Sequence, residues 1–439
     1  MTSTSDIVDD LIARRPAADF LRFRYDSQAQ RVNDSIYKST GITSAYLITT
    51  GSGRVVVNTG TGGEAVHHRA LFDAVSDAPT RYIVTTQAHT DHVGGVGHFR
   101  DEGTSYVAQA NNLECQRHDQ QLAGLRRQFG HPWFGEIRAA TQQLAERYPE
   151  QQPVRRGTAV GERPDLGPLQ DRPRPDVTFE DRLSLRVGEL DIELLATPGG
   201  ETRDSCIVWL PEQDVCLVSN LLGPLFPHFP NFNTLRGDRY RDPALYLTSL
   251  QRLRALHPEV LLTGRGEPLS GRGLLDVVLG RLYDAVEFVY TATLQGINEG
   301  KDLPQLMREV VLPDELRVGE SYGRVAWGVR AIWESHVGWF RQRSTTELYP
   351  DESPAAYRDL VSLAGADAVV ARANERLEDG SPVVAIQLAE AVLQCRSDDP
   401  AARSVLAASH ERLLADPAAA DNFWLRGWLS QQVERWSLA

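Results

Sequence analysis

The strongest constraint on the fold is a buried strand that leads directly into a loop of metal-competent side chains. The run RYIVTT (81–86) is rich in β-branched residues, and the loop QAHTDH (87–92) follows it. His89, Asp91 and His92 in this loop combine imidazole and carboxylate groups, which suit zinc, iron or manganese. The pattern predicts a metal site at the carboxyl end of the strand. The simpler alternative is a polar loop whose histidines cap backbone groups.

Strand and helix signals alternate over the first half of the chain and then give way to helices. Strands are predicted at 45–50, 54–59, 81–86, 105–109, 176–199, 206–211 and 214–220, and a helix at 64–77. His67 and His68 lie on that helix, where we expect them in solvent. From about Asp242 the pattern is helical almost to the end. Strands followed by helices, twice over, indicate a sheet sandwich covered by helices.

The C-terminal segment 346–439 differs in composition from the rest of the chain. Four alanine-rich amphipathic helices are predicted at 355–380, 381–400, 401–417 and 418–436. Residues 150–176, rich in Pro, Gly, Arg and Asp, instead predict a long irregular loop. We therefore divide the chain into an α/β domain at 1–345 and a helical domain at 346–439. Small helical bundles of this kind often provide a protein interface.

The composition argues against several classes of partner. The 439 residues include 59 acidic and 46 basic side chains, which gives a formal net charge of −13. Nucleic acids and anionic membranes require a basic surface, so neither is an expected partner. No run approaches the roughly 20 apolar residues of a membrane-spanning helix, and no secretory signal pattern opens the sequence, so we predict a cytoplasmic protein. The four scattered cysteines predict neither disulfides nor a zinc knuckle.

The loop at 87–92 resembles the H-x-H-x-D-H signature of metallo-β-lactamase-fold hydrolases, and its surroundings are similar to the alkylsulfatase branch. The segment TPGGE (197–201) resembles one that supplies a glutamate metal ligand there. NTLRG (233–237) resembles one whose Thr and Arg contact the sulfate group. The C-terminal helices resemble the dimerisation domain of that branch. The resemblance implies an α/β fold, a metallo-β-lactamase αββα sandwich followed by an all-α dimerisation domain, and hence a homodimer.

Three departures from that family pattern fall on expected metal ligands. Gln87 stands in place of the first histidine of the loop, and Asn220 stands in place of a bridging glutamate. The segment TGRGE (263–267), where a later histidine is expected, contains none. Because a bridging carboxylate is lost and Arg265 adds a cation, we predict at most one divalent ion, zinc or iron, with manganese as a further option. The resemblance implies that the remaining ligands of this ion are His89, Asp91, His92 and Glu201. Gln87 and Asn220 would be weak or indirect partners.

These residues lead to three hypotheses of function. In the first, a metal-dependent hydrolase acts on a small anionic substrate such as a sulfate ester, with Asp91, Arg236 and Thr234 as catalytic or substrate-orienting residues. A guanidinium suits such an anion, although Arg236 also lies in an arginine-rich stretch where a surface role would be ordinary. In the second, one non-haem iron ion supports an oxidoreductase or oxygenase. In the third, the chain is a non-catalytic relative that retains the fold and the dimer interface.

Overall fold

The computed structural model describes residues 4–17, 21, 24–148, 172–233, 235–341, 344–349 and 355–437. Thr234 and most of the irregular segment predicted at 150–176 lie outside the described residues. The chain divides into two compact units, Met1–Trp333 and Glu334–Ala439. The domain boundary predicted after residue 345 falls close to this division and stays a prediction.

Seven strands form the first sheet of the described chain, in the order in which they occur. They are β1 (Gln30–Arg31), β2 (Ile36–Ser39), β3 (Ala45–Thr50), β4 (Gly53–Val57), β5 (Thr80–Val84), β6 (Ser105–Gln109) and β7 (Val177–Phe179). Pairing is antiparallel from β1 to β4 and parallel from β4 to β7. The strands predicted at 45–50 and 105–109 are confirmed, and the strand predicted at 81–86 is β5.

Six strands form the second sheet of the described chain, in the order β13-β12-β11-β10-β9-β8. They are β8 (Arg182–Val187), β9 (Leu190–Ala196), β10 (Cys206–Leu210), β11 (Val215–Ser219), β12 (Val260–Thr263) and β13 (Leu269–Ser270). Only β11 and β12 pair in parallel among these strands. A run of antiparallel strands in this region agrees with the prediction of several short strands between 176 and 220.

The described helices that begin in the first unit precede, connect or follow these strands. They are α1 (Thr4–Ala13), α2 (Gly62–Asp73), α3 (Thr90–Val93), α4 (Val96–Phe99), α5 (Asn112–Gln121), α6 (Ala123–Arg147), α7 (Pro243–Arg254), α8 (Arg272–Asn298), α9 (Leu303–Glu309) and α10 (Val325–Val337). None of the helices in the described ranges is long and apolar enough to cross a membrane.

The alternation of side chains along the central strands builds two apolar clusters. In β4, Val55 and Val57 pack into a cluster shared with the second sheet, whereas Val56 packs on the other face. There it meets Ala65 and Phe72 of α2. Alternating faces follow from the two-residue period of a strand, and each fully buried aliphatic side chain contributes about 1.5–3 kcal/mol. The predicted sandwich of two sheets, with helices outside it, is confirmed.

The exposure expected for His67 and His68 is wrong. Both side chains are fully buried on α2. His68 Nδ1 lies 2.6 Å from the Ser39 hydroxyl, and His67 Nδ1 lies 2.9 Å from that of Tyr148. Burial lowers the pKa of His68 to about 3 and that of His67 to about 4, so both rings are neutral. Polar partners on neighbouring elements therefore allow this helix to bury histidines on its inner face.

The second unit is helical. Its described helices after α10 are α11 (Ala355–Ala364), α12 (Ala366–Glu378), α13 (Pro382–Leu393), α14 (Pro400–Leu414), α15 (Pro417–Asp421) and α16 (Phe423–Ser437). Small residues such as Ala373, Ala385 and Ala389 fill its core and let the helices approach closely. The prediction of a single helix at 355–380 is wrong, because Gly365 adopts a φ of +84° and separates α11 from α12.

Candidate functional site

The loop at 87–92 follows β5, at the carboxyl end of a parallel strand, and its last three residues belong to α3. Asn58, which follows β4, fixes the start of the loop: its Oδ1 accepts hydrogen bonds from the Thr86 backbone N–H at 2.9 Å and from the Thr86 hydroxyl at 3.0 Å. The Asn58 amide donates to Ser219 at the end of β11, at 3.2 Å. One side chain thus ties together the strand ends of both sheets from which the predicted site residues extend.

Glu201 is placed by the turn that follows β9. Gly199 has a φ of +99° there, and a Cβ at this position would lie 2.7 Å from the carbonyl oxygen of Asp242 and overlap the backbone nitrogen of Tyr246. Only glycine combines this backbone conformation with so close an approach. The segment 197–201 is therefore pressed against the first turn of α7, which places the Glu201 carboxylate beside the loop.

His89 and Glu201 form the first of two pairs among the predicted metal ligands. The His89 Nδ1 lies 3.6 Å from Oε2 of Glu201. The Gln87 amide nitrogen donates to the same Nδ1 at 2.8 Å, so the neutral ring carries its proton on Nε2. Nε2 lies 3.8 Å from Asp238 Oδ2. Burial and then the nearby charge of Arg236 lower the pKa of His89 to about 3.

Asp91 and His92 form the second pair, with His92 Nε2 lying 3.6 Å from Asp91 Oδ2. The Asn220 amide nitrogen lies 3.3 Å from His92 Nε2 and donates to the Thr43 hydroxyl at 3.2 Å. Thr43 in turn donates to Asp91 at 2.5 Å. This chain of donors orients the amide with its N–H groups toward the imidazole. Burial alone would raise the pKa of Asp91, but His92, His89 and the Thr43 hydrogen bond lower it to about 2.

Two arginines, Arg241 and Arg236, contact carboxylates of the site. Arg241 Nη2 lies 2.7 Å from Glu201 Oε2, and the two side chains are only 4% and 5% exposed. Its Nη1 donates to the backbone carbonyl of Asn231, also at 2.7 Å. Arg236 lies nearby with Nη2 3.9 Å from Asp238 Oδ2, and 21% of its side chain is exposed. Burial gives Glu201 a raised pKa, which the charges of Arg241 and Arg236 oppose.

Arg265 brings a third guanidinium, from the segment after β12. Burial lowers its pKa, and the charges of Tyr322 and Asp91 act in the opposite direction. Tyr322 has a pKa raised to about 12 by burial and by Glu201, against the charges of Arg236, Arg241 and Arg265. The charges of all three arginines therefore act on the same tyrosine.

A pocket of about 670 Å³ opens onto the first pair. Its wall includes His89, Asp119, Glu201, Asp238 and Arg241. Arg126 joins two of these carboxylates, because its Nη2 lies 2.8 Å from Asp119 and 3.1 Å from Asp238. A volume of this size admits a small organic molecule.

The structure brings together most of the predicted site residues. Thr234 lies outside the described residues, so its predicted role stays a prediction, as do the predicted roles of Asp91 and Arg236. Sequence reasoning missed Arg241, Thr43 and Asp238. The arginine-rich stretch was the only signal that could have indicated Arg241, and it does not distinguish one arginine from its neighbours.

The comparisons with known proteins identify the class of protein that this fold and site define. Residues 39–265, just over half of the chain, match the family model of the metallo-beta-lactamase superfamily. The chain belongs to the metallo-β-lactamase superfamily. Residues 302–431 match the model described as alkyl sulfatase dimerisation. The resemblance inferred from the sequence is therefore confirmed.

The similar proteins are named as alkylsulfatases. A linear primary-alkylsulfatase of Pseudomonas sp. is 29% identical over 390 residues, which cover 84% of this chain and 69% of the relative. An alkyl/aryl-sulfatase of Saccharomyces cerevisiae is 22% identical and covers 80% and 55% of the two chains. The solved structure of a stereoselective inverting sec-alkylsulfatase from Pseudomonas sp. has a TM-score of 0.75 at 21% identity, over 93% of this chain and 65% of that one. The chain spans between about half and about two thirds of the length of these relatives.

Membership of this superfamily implies a divalent metal ion, but the residues present do not fit one as they are arranged. Among the described residues, no group of three or more His, Cys, Asp or Glu side chains could hold an ion. The imidazoles of His89 and His92 each lie within hydrogen-bond reach of an amide nitrogen, and Glu201 is bonded to Arg241. A metal would have to displace all three partners.

Proposed function

We propose that the chain is a hydrolase of small sulfate esters or closely related anionic esters. The main support for this proposal is the exposure of Arg236. This guanidinium lies among the buried charged groups of the site, yet 21% of its side chain is exposed. A guanidinium presents a fork of donors that matches the oxygen atoms of sulfate. The alkylsulfatase names of the relatives supply the class of reaction, and the resemblance of residues 233–237 to a sulfate-contacting segment points the same way.

In this reaction water hydrolyses the ester, so that R–O–SO₃⁻ and H₂O give the alcohol R–OH and hydrogen sulfate. Arg236 would bind and orient the anionic group, with the predicted help of Thr234. Asp91 is ionised and 19% exposed, so it would accept a hydrogen bond from the attacking water and orient it. With a pKa of about 2, this carboxylate is a weak base, and orientation is the larger part of its contribution.

The predicted metal ion is a separate question within this proposal. The sequence predicts one ion, zinc or iron with manganese as a further option. The predicted ligands are His89, Asp91, His92 and Glu201, with Gln87 and Asn220 as weak partners. Metal analysis of the protein purified without added metal tests this ligand set. One iron per chain together with oxygen consumption would favour the oxidoreductase hypothesis instead.

The hydrolase proposal is tested by sulfate release from short primary and secondary alkyl sulfates, followed by ion chromatography. We expect release by the wild-type protein, and a fall in kcat/KM of about 100-fold for Arg236→Gln, because the anion loses its main donor. Arg272→Gln is the matched control, since this arginine is 47% exposed and pairs with Asp214 on the surface. No release from any ester, with or without zinc, iron(II) or manganese, would contradict the proposal and favour a non-catalytic relative.

The match to a dimerisation family supports the predicted homodimer, and we propose that it forms through the second unit. Leu360 and Leu363 of α11 are 60% and 85% exposed, which is unusual for neighbouring large apolar residues. Light scattering should give about twice the chain mass of 48.8 kDa. The Leu363→Glu variant should have a lower measured mass, closer to that of a single chain. A monomeric wild-type protein at micromolar concentration would contradict this assembly. The cytoplasmic location stays a prediction.

A further inference from the structure

The two retained imidazoles are already engaged. The amide that donates to His89 belongs to Gln87, and the amide that lies beside His92 belongs to Asn220. These are two of the three positions at which the sequence departs from the metal-binding pattern. Each of these two substitutions has therefore put an N–H donor, rather than a further ligand, next to a nitrogen lone pair. An ion at either imidazole would compete with a buried hydrogen bond, and breaking it leaves a buried donor unsatisfied.

The carboxylates of the site are engaged in the same way. Glu201 is bonded to Arg241 at 2.7 Å, and Asp238 contacts Arg126 at 3.1 Å. Asp91 accepts from the Thr43 hydroxyl and lies in the field of Arg265. Glu201 and Asp238 therefore each already have a guanidinium as a direct partner. A dication added to this arrangement would meet carboxylates whose charge is already balanced, and it would be repelled by Arg241 and Arg126.

A sulfate ester carries the opposite charge and suits this arrangement better. Its single negative charge is spread over three oxygen atoms, which is the pattern that guanidinium groups bind by paired hydrogen bonds. Arg236 retains an exposed surface, and its Nη2 lies 3.9 Å from Asp238, which lines the pocket of about 670 Å³. We propose that a sulfate-type anion binds at Arg236 without a metal ion, and that Arg236 and Arg265 supply the positive charge that a metal provides in a metal-loaded site.

This inference rests on the proposed function for the class of ligand, and it adds that the anion site is complete in the protein alone. The test is calorimetric titration of inorganic sulfate into the full-length protein before and after dialysis against a chelator. Metal content is measured by mass spectrometry in both preparations. We expect less than a twofold change in affinity between them, and less than one tenth of an ion per chain after dialysis, since no ion contributes to binding.

Variants separate a specific site from general surface charge. Arg236→Gln and Arg265→Gln should each weaken sulfate binding by about tenfold or more, and Arg236→Lys should recover only part of it because the fork is lost. Arg272→Gln should bind as the wild type does. Thermal unfolding of each variant shows that the fold is retained before binding is compared.

The outcomes distinguish this inference from the hydrolase proposal. Sulfate binding that disappears with the chelator and returns with zinc would overturn the inference and leave the hydrolase proposal standing. Metal-independent binding without release of sulfate from any ester would support the inference and contradict the hydrolase proposal. No sulfate binding in either preparation would overturn the inference.

Discussion

The Arg241 guanidinium and the Glu201 carboxylate form a buried ion pair across 2.7 Å, between the segment after β9 and the residue before the N-cap of α7. Forty positions separate the two residues in the sequence. The pair removes from the site the one carboxylate that the metal-binding pattern would place beside His89. It also holds a guanidinium in the wall of the pocket. This interaction therefore opposes the binding of a metal ion.

Replacing Arg241 should cost much more stability than replacing an exposed arginine. Arg241→Gln leaves the Glu201 carboxylate buried without its partner, for which we expect a loss of about 3–5 kcal/mol in the free energy of unfolding. Arg272→Gln removes an arginine from a pair of nearly the same length, 2.8 Å, that is about half exposed, and should cost about 0–1 kcal/mol. Urea unfolding monitored by fluorescence measures both. Equal losses in the free energy of unfolding would show that the buried pair stabilises the protein no more than the exposed pair does.

Gly199 should be intolerant of a side chain. In Gly199→Ala the added methyl group would overlap the backbone of α7 and strain a residue whose φ is +99°. Together these effects should cost roughly 2–4 kcal/mol. Gly223→Ala is the matched control, because its φ of +77° gives similar strain but a Cβ there meets nothing within 4 Å. Thermal unfolding should rank Gly199→Ala well below the control, and the reverse order would contradict the placement of Glu201 described above.

The carboxyl group of Asp119 should make stability depend on pH. Burial raises its pKa from 3.8 to about 6 in the folded protein, although Arg126 opposes the rise. The folded state therefore retains this proton up to about pH 6, whereas the unfolded chain releases it near pH 4. Stability is lost as pH rises through this window, by at most about 3 kcal/mol.

Asp119→Asn removes that dependence. The stability of the variant minus that of the wild type should therefore increase between pH 4 and pH 7, and should be constant above about pH 7. Thermal unfolding in a series of buffers measures the difference. A difference that does not vary with pH would show that Asp119 titrates alike in both states.

Restoring one histidine should not restore a metal site. In Gln87→His the imidazole of residue 89 loses its amide donor, but Glu201 is still bonded to Arg241 and His92 still has Asn220 beside it. We expect zinc below about 0.2 ion per chain after dialysis, because each remaining partner opposes binding. Adding Arg241→Gln to the same chain should raise zinc uptake. About one zinc per chain in the single variant would show that Gln87 alone excludes the ion.

Local patterns were enough to predict the fold. Strand signals followed by helix signals, twice over, indicate a sandwich without any knowledge of long-range contacts. Gly365 shows the limit of such patterns, because the helical periodicity continues across it although its backbone does not. The burial of His67 and His68 also depends on Ser39 and Tyr148, which lie far away in the sequence.

The site was predictable only in its residue types. Three arginines occur within six positions, yet the side chain of Arg241 is 4% exposed, that of Arg236 is 21% exposed and that of Arg239 is 47% exposed. No local pattern separates them, because Arg241 is buried by a segment forty residues earlier. The substitutions at Gln87 and Asn220 were visible, but their effect was not. Only the structure orients their amides toward the imidazoles.

Anomalous X-ray diffraction from crystals grown in selenate, a sulfate analogue, tests the central claim most directly. If the site binds an anion without a metal, a selenium peak should lie beside Arg236 in protein that has been dialysed against a chelator. No peak should then appear at the zinc edge between His89 and Glu201. A zinc peak at that position, with selenate bound only when zinc is present, would contradict the account.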